Sequence, residues 1–466
     1  MLTYSFENIG SDSLYEYLYK CIKKDIIEGR IKAMEKLPSK RSFAKNLGIS
    51  VITVEGAYDQ LMAEGYIFSL PKKGFYVAKL AELGQVKTKE TKRSFIEESV
   101  PDKHYMADFK NNQMESNVFP FTIWAKTIRE ILNDNREELM INPPCGGIMS
   151  LRQAIASYLE EFRGMHVKPE QIIIGAGTEY LYGLLIQLLG NEYVYGVENP
   201  GYPKAGKIFE SMKTVCRYVS MDEMGVIPDE LEKNKVDIIH ISPSHHFPTG
   251  EIMPVSRRYE LLAWASCSEN RYIIEDDYDS ELRLTGKPIP TLQSIDVSGK
   301  VIYMNTFTKT LASTVRISYM VLPENLLPVF YEKLSFYSCT VSNFEQYTLA
   351  RFIENGSFEK HINRLRSYYL NKKDTILDKI NGSLLGKMVK ITGEEAGIHF
   401  LMSIESDKSE DEITAEAEKE GIRLVPLSEY FYKQKCESNK TFVMNYSSLP
   451  IEKIDEIVDK LYKIVT

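Results

Sequence analysis

The sequence predicts an α/β protein in two parts: a small N-terminal unit of three helices and a hairpin, then a large unit with a mostly parallel sheet. Residues 1–80 hold three short apolar-periodic segments separated by turn residues. From about residue 107, apolar runs that each end on polar residues alternate with helical patterns, the signature of strands buried on both faces. The length of 466 residues also calls for more than one core.

In the N-terminal part, Ser11 to Ser13 supply helix caps and Leu14, Leu18, Cys21, Ile22 and Ile26 recur at helical spacing up to Gly29. A second segment starts at Pro38-Ser39, carries Phe43, Ala44 and Leu47, and stops at Gly48. Ser50 can cap a third helix over 51–64, with Val54, Ala57, Tyr58 and Leu61 inside and Gly65 ending it. "YIFSLPKKGFYVAKL" then reads as two short strands around Pro71-Lys72-Lys73-Gly74. Three helices and a basic-tipped hairpin make a winged helix-turn-helix, whose third helix would enter the major groove of double-stranded DNA. Lys40, Arg41, Lys45, Lys72 and Lys73 are the expected phosphate contacts. The spacing alone also fits a small helical domain with solvated lysines.

Residues 82–105, "ELGQVKTKETKRSFIEESVPDKHY", are charged and aperiodic and read as a tether. The expected organisation is therefore 1–80 for the DNA-binding unit, 81–106 for the linker and 107–466 for the large unit. Net charge is −8 overall. Residues 1–80 carry 12 basic and 9 acidic side chains, a net +3, so the remainder carries −11. The whole chain is thus no polycation. Six scattered cysteines without a CxxC pair indicate reduced thiols and no metal site. No secretory signal pattern is visible, and the longest apolar run, "YLYGLLIQLLG", is too short to span a bilayer. A cytoplasmic protein with no membrane partner is expected.

In the large unit, "QIIIGAGTEYLYGLLIQLLG" reads as strand, glycine turn and helix; "EYVYGVENPGYP", "VDIIHISPSHHFPTG", "RYIIEDDYDSEL" and "VIYMNTFTKT" read as strands ending in polar residues. Ligands of such sheets bind beyond the carboxyl ends of the strands. Those ends present Gly175 to Thr178, Tyr202, His245-His246, Asp276 to Tyr278 and Thr306 to Lys309, with Arg316 downstream. One ligand wants this set, pyridoxal phosphate. A lysine forms a Schiff base with its aldehyde, a carboxylate keeps the pyridine nitrogen protonated, and an aromatic ring stacks on the pyridine. Helix-start N–H groups, hydroxyls and an arginine hold the phosphate.

These motifs carry a resemblance over nearly the whole chain. "LPSKRSFAKNLGIS" and "TVEGAYDQLMAEGY" resemble the winged helix of the GntR superfamily. "ENPGYP", "PTGEIMPVSRRYELLAWA", "IIEDDYDSELRL" and "TFTKTLASTVRISYMVLP" resemble a fold-type I aminotransferase. That order of domains resembles transcriptional regulators of the MocR/GabR type. The resemblance implies a smaller C-terminal α/β subdomain, a homodimer, and DNA contacts that include Ser39, Ser50 and Thr53. It implies that Lys309 forms the Schiff base, Asp276 pairs with the pyridinium, Tyr202 stacks and Tyr278 reaches the phenolic oxygen. Ala176, Gly177, Thr178, Thr306, Thr308 and Arg316 would surround the phosphate, with Lys204 and Arg316 toward the ligand.

Five places depart from the pattern. Val51-Ile52 stand where the winged-helix family has arginine after the cap serine. Phe247 precedes "PTG" where aminotransferases have asparagine. Asn142 aligns with a tyrosine that reaches the partner subunit's phosphate. Val443, in "FVMNYSS", aligns with the arginine that grips a substrate carboxylate, and Lys204 replaces a second arginine. The cofactor-holding groups are kept while the carboxylate-gripping groups are altered. The expected function is a pyridoxal phosphate-dependent transcriptional regulator that senses a small amine or amino acid through the Schiff base, with at most slow half-transamination. The alternatives are a regulator that senses pyridoxal phosphate itself and an active aminotransferase.

Overall fold

The computed structural model describes residues 2–6, 9–10, 12–79, 104–111, 113–284, 286, 289–395, 397–432 and 440–466. Ser11, Cys436 and the linker up to residue 103 lie outside the described residues. The chain divides into two compact units, Met1–Asp102 and Lys103–Thr466.

The first unit contains α1 (Leu14–Ile27), α2 (Lys40–Leu47), α3 (Val51–Ala63), β1 (Ile67–Leu70) and β2 (Gly74–Val77). Each helix begins on a serine. Ser13 and Glu16 form a capping box, and the Ser39 and Ser50 hydroxyls accept from the backbone N–H of Ser42 and Thr53. Gly48 takes the left-handed conformation, φ 69°, that closes α2 and leaves room for the turn into α3. Val54, Ala57, Tyr58 and Leu61 form the buried face of α3, as the periodicity requires. Cutting Leu61 to Ala would cost roughly 2–5 kcal/mol. Leu14 departs from expectation and stays 43% exposed. At this end of α1 it is the neighbouring Tyr15 that lies against α3, its ring over Gly56. β1 and β2 pair antiparallel with Leu70 opposite Gly74, which makes Pro71 to Lys73 the turn.

The second unit opens with β3 (Ala107–Asp108), followed by α4 (Phe121–Asp134) and α5 (Met149–Arg163). Its main sheet comprises β4 (Ile172–Gly175), β5 (Val194–Asn199), β6 (Val215–Asp222), β7 (Gly225–Val226), β8 (Ile238–Ile241), β9 (Tyr272–Asp276), β10 (Val301–Thr306) and β11 (Ser318–Val321). The strand order is β4-β11-β10-β9-β8-β5-β6-β7. β10, β9, β8, β5 and β6 run parallel, β11 runs against β10 and β4, and β7 runs against β6. Two reversals restore direction, so β4 points the same way as β10. The carboxyl ends of β4, β5, β8, β9 and β10 therefore share one edge. Helices cover both faces, so these strands need no polar side; β4, β8, β9 and β10 are buried at every position.

A smaller antiparallel sheet near the C-terminus has the order β12 (Val389–Thr392), β13 (His399–Ile404), β15 (Thr441–Asn445). Between them β14 (Ile422–Arg423) pairs in parallel with β3. The helix Ser357–Asn381 packs on this subdomain, its Leu365, Tyr369 and Ile376 in one core with Phe400, Met402, Phe442 and Met444. The five described cysteines, 21, 145, 216, 267 and 339, are free thiols. Among the described residues no helix is long and apolar enough to cross a membrane.

Candidate functional site

Asp276 ends β9 at the shared edge and is buried. Its Oδ2 accepts from the Tyr182 hydroxyl at 3.0 Å and lies 3.3 Å from His240 Nε2. Tyr182 comes from α6 (Thr178–Leu189) and His240 from β8, so three elements fix one carboxylate. Oδ1 of Asp276 has no partner among the described residues. A buried carboxylate oxygen left open in this way suits an N–H supplied by a ligand.

Lys309 lies in the turn that follows β10, half-buried and with no hydrogen bond or ion pair among the described residues. Burial lowers its pKa to about 8, against an opposing pull from Asp279. A substantial share of the amine is therefore neutral near physiological pH, as a carbonyl-attacking nucleophile must be.

The cradle expected for a phosphate is assembled from β4, α6 and the strand pair β10–β11. Gly177 caps α6 at φ 92° and ψ 159°, a region open essentially to glycine. A Cβ there would sit 2.5 Å from Arg316 Nη2, so the missing side chain is what lets the guanidinium approach the loop. Arg316 itself holds a positive φ of 53° and donates to the Ala176 carbonyl at 3.4 Å. The Ala176 N–H donates to Thr340 Oγ1 at 3.0 Å, and Thr178 begins α6. Thr306 Oγ1 lies 2.7 Å from Thr308 Oγ1 and accepts from Ser318 at 2.8 Å. Glu179, in the first turn of α6, bridges Lys204 and Arg316, the latter at 3.6 Å.

An aromatic group borders this edge. Tyr202 caps α7 (Pro203–Ser211) with its side chain partly open, and its ring meets Phe247 edge-on at 6.3 Å. Phe247 meets Tyr278 in the same way at 6.5 Å. The Tyr278 hydroxyl lies 3.2 Å from His245 Nδ1, and burial holds this phenol protonated, far above its ordinary range. His245 Nδ1 also lies 2.7 Å from Asp279 Oδ2. Burial depresses His246 to about 3 and raises Glu198 to about 8. Nε2 of His245 and of His246 are buried without a hydrogen-bond partner.

The small sheet contributes the opposite wall. Strand alternation sends Phe400, Met402, Phe442 and Met444 into the subdomain core and leaves His399, Leu401, Val443 and Asn445 on the other face. The His399 ring on that face lies tilted against His245 at 5.0 Å and edge-on to Phe247 at 5.3 Å. Val443 pairs with Leu401 beside it and is buried. Asn142 lies on an exposed loop.

On the first unit, Arg41, Lys45, Lys72 and Lys73 are exposed and form no ion pair among the described residues. Lys40 differs: it pairs with Glu55 at 2.8 Å and Asp59 at 3.3 Å and lies over the Phe75 ring. Ser39, Ser50 and Thr53 are engaged in capping, with Ser50 and Thr53 hydroxyls 2.8 Å apart.

Sequence reasoning missed Tyr182, His240, Asp279 and His399. Only Tyr182 left a local trace, sitting one helical turn beyond Thr178 on the apolar face of α6.

The open Oδ1 of Asp276, the unpaired Lys309 amine and the glycine-cleared Arg316 cradle fit pyridoxal phosphate. Comparison with known proteins agrees. Residues 14–77 match the family Bacterial regulatory proteins, gntR family, and residues 107–461 match Aminotransferase class I and II. The chain is 38% identical over 448 residues to the uncharacterized HTH-type transcriptional regulator YdeL of Bacillus subtilis, covering 96% of both chains. It is 28% identical to the probable rhizopine catabolism regulatory protein MocR of Rhizobium meliloti, covering 96% of this chain and 93% of that one. The fold is that of an archaeal alanine:glyoxylate aminotransferase, TM-score 0.68 at 24% identity, over 77% of this chain and 90% of the other.

Proposed function

Because this chain belongs to the MocR-type HTH transcriptional regulators, in which a gntR-family domain precedes an aminotransferase class I and II domain, we propose that its signal is a small amine or amino acid met at the Lys309 site. It is a pyridoxal phosphate-dependent regulator of transcription. When bound, the cofactor supplies an aldehyde that condenses with amines and a ring that takes up electron density.

The chain's own groups then divide the work. Lys309 offers an amine of which a substantial share is neutral. Asp276, positioned by Tyr182 and His240, offers Oδ1 to the ring N–H. Tyr278 would donate toward the phenolic oxygen, and Tyr202 would lie over the ring. Ala176, Gly177, Thr178, Thr306, Thr308 and Arg316 would hold the phosphate. Lys204 and Arg316 meet the ligand's acidic end, where Glu179 already balances part of their charge.

The observation that carries sensing over turnover is Val443 on the His399 face. An apolar side chain there cannot anchor a carboxylate, so an amino acid is poorly aligned for proton transfer. At most slow half-transamination is expected. The same apolar wall favours a second reading, in which pyridoxal phosphate itself is the signal. Operator binding measured with and without cofactor, then with a panel of amines, separates the two. Rapid multiple turnover with an amino donor and a 2-oxo acid would sink the sensing reading.

Homodimerisation is supported by an exposed apolar cluster, Met140, Ile141, Phe336, Tyr337 and Phe344. Asn343, beside Phe344, ties that segment to Met140 and Ile141 by donating to the Glu138 and Ile141 carbonyls at 2.9 and 2.7 Å. A two-fold dimer presents two winged helices to a repeated DNA half-site. The DNA-binding role is assigned to residues 1–80, with Arg41, Lys45, Lys72 and Lys73 on phosphates. The cytoplasm is the compartment such a regulator requires.

A further inference from the structure

The outward stripe of α3 is chemically unusual for a helix that reads DNA. Its thirteen residues include no lysine, arginine or histidine. The commonest base contact, a bidentate cation on guanine, is therefore not available from this helix. Ile52, Glu55 and Asp59 recur at the spacing that places them on one face, opposite buried Val54, Ala57, Tyr58 and Leu61. Glu55 and Asp59 are held by Lys40. Thr53 is bound to Ser50, and Gln60 donates to Glu64 at 2.7 Å. That leaves Val51 and Ile52 in the first turn, 41% and 79% exposed.

A β-branched side chain this open gains nothing for the fold. The helix packed against α3 supplies free cations: Arg41 and Lys45 on α2 are exposed and form no ion pair among the described residues. An exposed apolar tip on a unit that carries free cations on its neighbouring helix matches a duplex groove, where phosphates flank a methyl group, better than an apolar protein surface. In the major groove that methyl is the 5-methyl of thymine.

We propose that Ile52 is the sequence-reading residue of this protein, packing on a thymine methyl group in the major groove of double-stranded DNA; this rests on the DNA-binding reading of the first unit. Recognition here is apolar where guanine readers are cationic. Val51, nearer the helix start and more covered, supports the backbone approach.

The test removes only the methyl. The full-length protein selects its preferred duplex from a random pool, and each thymine of that duplex is replaced singly by deoxyuridine. Burying one methyl is worth roughly a fourfold change in affinity. One thymine per half-site should therefore show about a fourfold loss on replacement in the unaltered protein. Ile52→Ala should bind thymine and uracil duplexes alike, while Ile52→Val keeps most of the discrimination. Since Ile52 lies outside the core, thermal melts of these variants should match the parent. The proposal falls if no thymine replacement matters, if Ile52→Ala still discriminates, or if only Val51→Ala abolishes discrimination. Salt-dependent binding that persists in those cases leaves the DNA-binding reading standing. If no duplex binds at all, both readings fall together.

Discussion

The Tyr182 hydroxyl donates to Asp276 Oδ2 at 3.0 Å while Oδ1 of the same buried carboxylate stays open. One oxygen is thus spent on orientation and the other is available to a ligand. Asp276→Asn keeps the shape but loses the charge, and should weaken pyridoxal phosphate binding roughly ten- to a hundredfold. Tyr182→Phe should cost much less, since His240 still holds the carboxylate. Cofactor titration followed by absorbance measures both.

Lys309 should give the near-visible absorbance of lysine-bound pyridoxal phosphate, and borohydride should leave a phosphopyridoxyl adduct there. Lys309→Ala should abolish both; an adduct found by mass spectrometry on another lysine would overturn the assignment. The capture rate should rise with pH and level off above about 8, because only the neutral amine attacks and burial places its midpoint there. Asp279→Asn removes the carboxylate that favours the charged form, so the midpoint should move down. Stability follows the same sign. Between about 8 and the ordinary lysine value of 10.5, unfolding takes up a proton, so this group's contribution to stability rises with pH across that window.

Gly177→Ala should cost roughly 1–3 kcal/mol from its backbone conformation alone. The added methyl also displaces Arg316, so pyridoxal phosphate should protect the variant less in thermal melts than it protects the parent.

Val443→Arg places a charge on a buried strand, so the melting temperature should fall without ligand. Amino acids should restore part of it and produce a larger spectral change than in the parent. If amino acids have no greater effect on the variant, Val443 does not face the ligand.

Arg41→Ala should lower the salt dependence of DNA binding by about one counterion. Lys40→Ala should lower it less, because Glu55 and Asp59 already neutralise Lys40. A larger effect at Lys40 would mean that those ion pairs open on DNA.

The strands were legible in the sequence because burial on both faces writes itself as unbroken apolar runs, and their polar ends marked Asp276, Lys309 and Gly177. The helix caps of the first unit were legible because capping is local. What escaped was set by register and by contacts between distant segments. His240 meets Asp276 because β8 pairs with β9 in one register. Asp279 and His245 are 34 positions apart, and Lys40 finds Asp59 across 19. His399 reaches the site only through the alternation of a strand from another sheet. None of these leaves a pattern along the chain.

The pairing of β3 with β14 has a mechanical result. Ala107 stands opposite Ile422, so the chain enters its second unit through the subdomain that also carries the His399 face. Whatever shifts that subdomain shifts the attachment point of everything N-terminal to it. A displacement of the sheet that carries His399 would therefore reach Ala107 through Ile422 and the shared core, without passing through the main sheet.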